Sequence, residues 1–406
     1  MLSSLAEGAS RIYGFLESED CTATLNAFQK MGIAAQRLEN GIAIQGQGLH
    51  GLREPDDILD MGNSGTGSRL ILGILAGQPF ASTLTGDSSL RSRPMGRVTQ
   101  PLSRMGATFI GREKHTQLPL SVYGGNLVGI DYESPVASAQ VKSAILLAGL
   151  FAKGVTRVRE PGPSRDHTER MLKTFGVPVQ EERYTYTVEG QPVITGCNIS
   201  VPGDLSSAAF WIVAAAIVPD SDLTLTGVGV NPTRTGLLDV LREMGADVTL
   251  ENQTYYGAEP VADIRVRYSP LRGVRISGET VVRMIDEFPI FAVAAACADS
   301  PSVVTEAKEL RMKESDRIAA IVQELGKLGA EVREWEDGFE VTGKARLRGA
   351  EVFSRGDHRI AMSLTIAALT ASGETLVQGT APIATSFPGF FERLAQVAPG
   401  SGEVVS

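Results

Sequence analysis

The chain has 406 residues, of which 43% are hydrophobic and 21% charged, and its formal net charge is -9. This composition is typical of a folded protein with a large core and, at this length, of two domains, while the acidic balance disfavours nonspecific binding to nucleic acid or anionic membranes. The three cysteines, Cys21, Cys197 and Cys297, lie far apart without a CxxC pair, and MLSSLAEGASR lacks the features of a signal peptide, so we expect a cytoplasmic protein without structural zinc.

An apolar segment rich in alanine and leucine recurs six times along the chain. The copies cover residues 2–8, 68–77, 139–154, 206–219, 289–298 and 360–373. They have almost no polar face, which predicts helices enclosed on all sides, and none is long enough to span a membrane. Five copies follow a polar motif: GNSGTGSR, SPVASAQVKS, VPGDLSS, MIDEF and SRGDHR. The first copy starts at Met1 without such a motif, so we expect part of a functional surface to be missing ahead of it.

A second pattern alternates with the first. AFQKMGIAA, PLSRMGATF, MLKTFGVPV, VLREMGADV and ELGKLGAEV each read as the end of an amphipathic helix, then a glycine, then the start of a strand. Glycine is the expected left-handed cap at such an end. VTRV, LTLTGV, SVVTEA and ETLVQG predict strands after the apolar helices, and residues 390–397 predict a closing helix.

Together the two patterns predict one α/β unit repeated six times, arranged as two three-unit domains with sheets wrapped around buried helices. We expect the domains to cover residues 1–200, without the N-terminal motif, and 201–406, without its first strand. The alternative is a coincidence of alanine-rich segments in an ordinary α/β protein.

The polar motifs are candidate binding sites because free N–H groups and the positive end of a helix dipole favour phosphate and carboxylate. In the first half the candidate groups are Asn63, Gly65, Thr66, Arg69, Arg91, Arg93, Arg97, Ser138, Gln140, Lys142, Ser164, Arg165 and His167. GNSGTGSRL is not a P-loop, because the GK[ST] ending is missing. A solvated loop is the alternative for the arginines. Helix capping alone would explain Ser138, and it competes about equally with ligand binding for Ser164.

In the second half the candidates are Asp286, Glu287, Arg311, Lys313, Glu314, Asp316, Arg317, Asp357, His358 and Arg359. Helix stabilisation is the alternative for the two carboxylates of MIDEFP, and a solvated helix face is the alternative for ELRMKESDR. His358 has no second histidine at metal-ligand spacing, so no metal site is expected.

In this order the motifs resemble the enolpyruvyl transferases over essentially the whole chain. The resemblance rests on GNSGTGSRL, RPMGR, ASAQVKSA, SRDHTE, NPTRTG, DEFP, LRMKESDR, DHRIAMS and TSFPGF. It implies a two-domain inside-out α/β barrel, each domain containing three βαβαββ units. It also implies transfer of the enolpyruvyl group of phosphoenolpyruvate to the 5-hydroxyl of shikimate 3-phosphate, with release of phosphate, by a monomer without metal or organic cofactor.

The resemblance also implies residue roles. Arg93, Arg317 and Arg359 are expected to bind phosphoenolpyruvate, with Asn63, Gly65 and Thr66 beside it where glyphosate competes. Lys313 and Glu314 are expected at the reacting carbons, and Asp286 at the attacking hydroxyl. Ser138, Ala139, Gln140, Ser164 and Arg165 are expected to bind shikimate 3-phosphate, and His358 to take part in substrate binding.

The sequence also departs from the family pattern. Ala139, Leu70 and Thr385 stand where many members have serine, proline and lysine, whereas Gly65 keeps the small residue associated with glyphosate sensitivity, so tolerance stays open. The family motif PG-[SD]-KS-x-S-x-R is missing before LSSLAEG, which leaves a catalytically impaired homologue as the alternative function. The related transferase that acts on UDP-N-acetylglucosamine is disfavoured, because GDSSLRSRP lacks that enzyme's cysteine.

Overall fold

The computed structural model describes residues 1–402, which form two compact units. The first contains Met1–Val201 and Tyr256–Glu259, and the second contains Pro202–Tyr255 and the described residues from Pro260 onward. Each unit has its own hydrophobic core. Within residues 1–402, no helix is both long and apolar enough to cross a membrane.

The first twelve strands and eight helices come before residue 202. The strands are β1 (Glu7–Tyr13), β2 (Ala34–Leu38), β3 (Gly41–Gln47), β4 (Leu59–Asp60), β5 (Ala81–Thr85), β6 (Thr108–Gly111), β7 (Gln117–Tyr123), β8 (Asp131–Glu133), β9 (Val155–Arg159), β10 (Gln180–Glu182), β11 (Thr185–Glu189) and β12 (Asn198–Ser200). The helices are α1 (Leu2–Leu5), α2 (Glu19–Lys30), α3 (Gly65–Ala76), α4 (Ser88–Ser92), α5 (Gly96–Met105), α6 (Arg112–His115), α7 (Ala139–Gly149) and α8 (His167–Thr174).

The remaining elements follow Pro202. The strands are β13 (Asp222–Gly229), β14 (Asp247–Tyr256), β15 (Glu259–Arg267), β16 (Arg275–Ile276), β17 (Ser302–Val304), β18 (Val332–Trp335), β19 (Gly338–Val341), β20 (Glu351–Phe353) and β21 (Leu376–Gln378). The helices are α9 (Leu205–Ile217), α10 (Gly236–Glu243), α11 (Glu279–Arg283), α12 (Phe288–Cys297), α13 (Arg317–Lys327), α14 (His358–Ala368), α15 (Ile383–Ser386) and α16 (Phe390–Val397), with a 3₁₀ helix at Lys308–Met312.

The sheets repeat one topology, as the sequence pattern predicts. Four sheets have the orders β12-β1-β3-β2, β4-β5-β7-β6, β8-β9-β11-β10 and β16-β17-β19-β18. In each, the first pair is parallel and the other two pairs are antiparallel. The fifth sheet, β13-β15-β14, carries a parallel bridge from Gly203 to Val228, and β20 and β21 form a parallel pair. The repeated α/β unit is therefore confirmed.

Five of the six predicted apolar helices are present as α3, α7, α9, α12 and α14, and their residues are almost entirely buried. The first prediction is wrong in extent, because α1 ends at Leu5 and Glu7 already pairs with β3. The glycines after the five amphipathic helix ends all have positive φ: Gly32, Gly106, Gly176, Gly245 and Gly329. Only glycine adopts this conformation at low cost, which is why the pattern could be found from sequence.

Candidate active site

The polar motifs all lie at the N-terminal ends of buried helices, as predicted. In the first unit they precede α3 and α7, and in the second unit they precede α9, α12 and α14. Each helix leaves backbone N–H groups free in its first turn. Ser64, Asp204 and Asp357 use their side chains to accept some of these hydrogen bonds, from Gly67, Ser207 and Arg359 respectively.

In the first unit, Asn63 links the turn before α3 to the loop that contains Arg93. Its amide donates to Asp87 Oδ2 at 2.6 Å, and its carbonyl oxygen accepts from Arg93 Nη2 at 2.7 Å. A Cβ on Gly65 would lie 3.0 Å from Arg93 Nη1 and 3.1 Å from Arg69 Nη1. Asn63 therefore orients Arg93, and the absence of a side chain at residue 65 leaves room for two guanidinium groups.

Arg69 and Gln140 connect α3 to α7. Gln140 Nε2 donates to Thr66 Oγ1 at 2.7 Å, while Arg69 Nη1 donates to Gln140 Oε1 at 3.1 Å. Arg69 Nη2 also donates to the carbonyl of Pro94 at 3.0 Å. The predicted ligand residues Thr66 and Gln140 are thus brought together, and Arg69 holds α3 and α7 against the loop that contains Arg93 and Pro94.

Glu160 connects the two predicted serines. Its carboxylate accepts from the Ser138 N–H at 2.7 Å and from the Ser164 hydroxyl at 2.6 Å. Ser138 occupies the N-cap position of α7 without a side-chain cap bond, and α8 has Asp166 at its N-cap. Capping therefore explains neither serine. Ala139 is the first residue of α7, and Arg165 lies partly buried in the loop before α8.

In the second unit, Arg317 lies at the centre of three carboxylates. Its Nε is 2.8 Å from Asp357 Oδ2, its Nη1 is 3.3 Å from Asp286 Oδ1, and its Nη2 is 2.6 Å from Glu314 Oε2. The Arg317 side chain is 1% exposed, so a solvated helix face does not describe this residue. Burial of Asp357 opposes the ionisation of its carboxyl group, but the positive charge of Arg317 outweighs this effect and holds the pKa of Asp357 below its ordinary value.

A second polar network lies at the beginnings of α9 and α12. Arg234 Nη2 donates to Ser206 Oγ at 2.5 Å, and Ser206 in turn donates to Glu287. Arg234 also pairs with Asp204 at 3.0 Å. Burial alone would raise the pKa of Asp204. The positive charges of Arg234 and, less strongly, Arg359 outweigh burial and lower this pKa to about 2, so the carboxylate is ionised at neutral pH.

His358 and Arg359 open α14 beside the Arg317 cluster. Burial, and then the positive charge of Arg359, lower the pKa of His358 to about 4, so the ring is neutral at pH 7. Lys313 lies between the 3₁₀ helix and α13, where its Nζ is 3.5 Å from Glu309. Lys313 therefore pairs outside the cluster that joins Asp286 and Glu314.

The predicted site residues thus fall into two groups, one in each unit. Sequence reasoning missed Asp87, Glu160, Ser206 and Arg234, which hold predicted residues in place. Glu160 stands directly after β9, and a carboxylate at a strand end was the available signal. Among residues 1–402, no group of three or more histidine, cysteine, aspartate or glutamate side chains is arranged to hold a metal ion.

Known sequences match nearly the whole chain. The profile of a family described as EPSP synthase (3-phosphoshikimate 1-carboxyvinyltransferase) matches residues 1–394. A relative from Desulforamulus reducens, named 3-phosphoshikimate 1-carboxyvinyltransferase, is 52% identical over 398 residues, covering 98% of this chain and 93% of the relative. A relative of the same name from Pelotomaculum thermopropionicum is 55% identical over 399 residues, covering 98% and 92%.

Solved structures agree with the sequence matches. EPSP synthase from Acinetobacter baumannii superposes with a TM-score of 0.89 at 47% identity, covering 98% of this chain and 92% of that chain. The enolpyruvyl transferase NikO from Streptomyces tendae has a TM-score of 0.76 at 18% identity, covering 98% and 90%, a likeness of fold alone. The predicted enolpyruvyl transferase fold is therefore confirmed.

Proposed function

This chain belongs to the EPSP synthase (3-phosphoshikimate 1-carboxyvinyltransferase) family, and from that premise we propose how its two groups of polar residues act. The enzyme transfers the enolpyruvyl group of phosphoenolpyruvate to the 5-hydroxyl of shikimate 3-phosphate and releases phosphate. The match to this family over 98% of the chain carries the assignment. The same match does not favour the alternative of a catalytically impaired homologue.

We propose that Ser138, Gln140, Ser164 and Arg165 bind shikimate 3-phosphate, with the small Ala139 leaving room at the start of α7. The N–H groups in the first turn of α7, the Ser138 hydroxyl and the Arg165 guanidinium are the donors that a phosphate ester requires. The Ser164 hydroxyl donates to Glu160, so towards the substrate it acts as an acceptor for a sugar hydroxyl. The amide of Gln140 is oriented by Arg69 and Thr66, which supports its use as a fixed polar contact.

Phosphoenolpyruvate carries a phosphate and a carboxylate, and we propose that Arg93, Arg317 and Arg359 bind it. Guanidinium groups suit both anions because they donate two parallel hydrogen bonds. Asn63, Gly65 and Thr66 are proposed to lie beside this substrate. Support comes from the Asn63–Arg93 hydrogen bond and from the space that Gly65 leaves beside the Arg93 guanidinium.

The reaction requires a base for the attacking hydroxyl and an acid for the methylene carbon. We propose that Asp286 binds or deprotonates the hydroxyl and that Glu314 carries the proton, with Lys313 beside the reacting carbons. Support comes from Arg317, whose two terminal nitrogens hold Asp286 and Glu314 on one guanidinium. We propose that His358 binds substrate as a neutral ring, consistent with its lowered pKa.

Three further proposals concern the whole protein. We propose that it acts as a monomer, that its domains cover residues 1–200 and 201–406, and that it works in the cytoplasm. The free thiols of Cys21, Cys197 and Cys297 support a reducing compartment. Light scattering of the purified protein tests the first proposal, limited proteolysis between residues 198 and 203 tests the second, and cell fractionation tests the third.

The direct test of the reaction is phosphate release from phosphoenolpyruvate at saturating acceptor. We expect release with shikimate 3-phosphate and none above background with UDP-N-acetylglucosamine, and mass spectrometry should find the enolpyruvyl ether of the first acceptor. Transfer to the nucleotide sugar instead would overturn the assignment. The substrate-group proposals are tested by Ser164→Ala and Arg93→Met, which should raise the KM for shikimate 3-phosphate and for phosphoenolpyruvate respectively.

A further inference from the structure

Behind the proposed shikimate 3-phosphate residues lies a buried ion network. Lys142 Nζ is 2.7 Å from Glu169 Oε1 and 3.1 Å from Glu160 Oε2, and all three side chains are 0% exposed. The same ammonium group lies 3.9 Å from the centre of the Tyr186 ring. Because an isolated buried charge is very costly, a lysine in this position is tolerated only with such partners.

Glu160 is the member of this network that reaches the substrate-binding segments. Its Oε1 accepts from the backbone N–H of Ser138, and its Oε2 accepts from the hydroxyl of Ser164. Ser138 stands at the beginning of α7, whereas Ser164 stands in the loop before α8. One carboxylate therefore fixes two segments that are separate along the chain.

The buried network fixes the positions of Ser138 and Ser164 before any substrate binds. Both oxygens of Glu160 are used, and Lys142 on α7 fixes the position of the carboxylate, so neither serine can shift without disturbing the buried network. Although burial opposes its charge, Glu169 and Glu160 raise the pKa of Lys142, which therefore stays a cation at neutral pH. Binding residues whose positions are locked in this way bind a ligand without first losing conformational freedom.

We propose that Glu160 is a positioning residue for shikimate 3-phosphate, held in place by Lys142 and Glu169. This inference rests on the proposed role of Ser138 and Ser164 in binding that substrate. Glu160 itself is buried and acts through the two serines. Loss of the Glu160 carboxylate should weaken the binding of shikimate 3-phosphate but not that of phosphoenolpyruvate, because we assign the binding of phosphoenolpyruvate to other residues.

The main test compares Glu160→Gln with Glu324→Gln. Glu324 is a matched control because it is also 0% exposed, pairs with Lys327 at 2.7 Å and Arg355 at 2.9 Å, and accepts a backbone N–H from Phe353. Calorimetry should give a Kd for shikimate 3-phosphate that is about 10-fold or more higher in Glu160→Gln, since charged hydrogen bonds are lost. The KM for phosphoenolpyruvate in Glu160→Gln should stay within about twofold of the wild-type value. In Glu324→Gln, both the Kd for shikimate 3-phosphate and the KM for phosphoenolpyruvate should stay within about twofold of wild type.

Two further variants make each outcome decisive. Glu160→Asp keeps the charge but is one methylene shorter, so it should also raise the Kd, and it replaces Glu160→Gln if that variant does not fold. Ser164→Ala tests the underlying assignment. If Ser164→Ala raises the Kd while both Glu160 variants bind normally, the positioning role is wrong. If Ser164→Ala binds normally, the assigned role of Ser164 is wrong and the inference falls with it.

Discussion

Arg317 and Asp357 form a buried ion pair, with Arg317 Nε 2.8 Å from Asp357 Oδ2 and side-chain exposures of 1% and 0%. Arg317 is the first residue of α13, and Asp357 is the N-cap of α14. The pair therefore fixes the beginnings of two helices against each other. Because the same guanidinium also contacts Asp286 and Glu314, one cation organises the proposed acid–base residues of the second unit.

Replacing Arg317 by methionine should strongly destabilise the protein. The change leaves three carboxylates around an uncharged side chain, and breaking a buried pair typically costs about 3–5 kcal/mol. Urea unfolding measures this cost, and adding Asp357→Asn should restore part of it by removing one uncompensated charge. Arg265→Met is the control, since its pair with Asp222 is about half exposed and solvent screens it, so this change should lower the stability far less than Arg317→Met does. Equal losses in both variants would contradict the role of Arg317.

Glu314→Gln should lower kcat far more than it weakens substrate binding. The amide keeps the shape of the side chain but cannot carry a proton, and general acid–base groups contribute about 10²–10⁴-fold. Steady-state kinetics with both substrates measures the effect. Glu336→Gln is the control, because Glu336 pairs with Lys308 at the surface and should leave kcat unchanged. An unchanged kcat in Glu314→Gln would leave Glu314 as a partner of Arg317 and nothing more.

Gly73→Ala should destabilise the first unit. A Cβ on Gly73 in α3 would lie 2.2 Å from the carbonyl oxygen of Ala144 in α7, so the two buried helices would have to separate, at about 1–3 kcal/mol. Gly326→Ala provides the opposite control. Gly326 is an exposed residue of α13 with nothing within 4 Å of the added methyl group, and the change should stabilise by about 0.5–1 kcal/mol. Thermal unfolding of both variants shows whether each substitution lowers or raises the stability. A Gly73→Ala variant more stable than wild type would show that α3 and α7 can separate freely.

The repeated fold was predictable because it depends on local chemistry. Apolar helices without a polar face and glycines with positive φ, such as Gly106, leave a mark in a few adjacent residues. The location of the polar motifs at helix N-termini followed from the same local patterns.

The connections within the site were not predictable, because they join residues far apart in the chain. Arg317 and Asp357 are 40 residues apart, and Ser138 and Glu160 are 22 apart. A charged run such as LRMKESDR has the same composition whether it faces solvent or surrounds a buried guanidinium. Arg317 is buried because α13 packs against both α12 and α14, which are distant from it in the sequence.

His358 should make stability depend on pH between its unfolded and folded pKa values. In the folded protein burial and Arg359 lower its pKa to about 4 from an ordinary value of 6.5. Between these values the unfolded chain binds the proton and the folded protein does not, so stability falls as the pH falls through this range. The total loss is at most on the order of 3 kcal/mol.

Urea unfolding of wild type and His358→Asn at pH 7, 6 and 5 tests this expectation. The asparagine variant should lose less stability than wild type on acidification, because it has no proton to bind in the unfolded state at this position. Asp357 and Glu314 face His358 in both proteins and contribute equally to first order, so the difference between the two curves isolates the ring. Parallel curves for wild type and His358→Asn would mean that His358 accepts a proton in the folded protein as readily as in the unfolded chain.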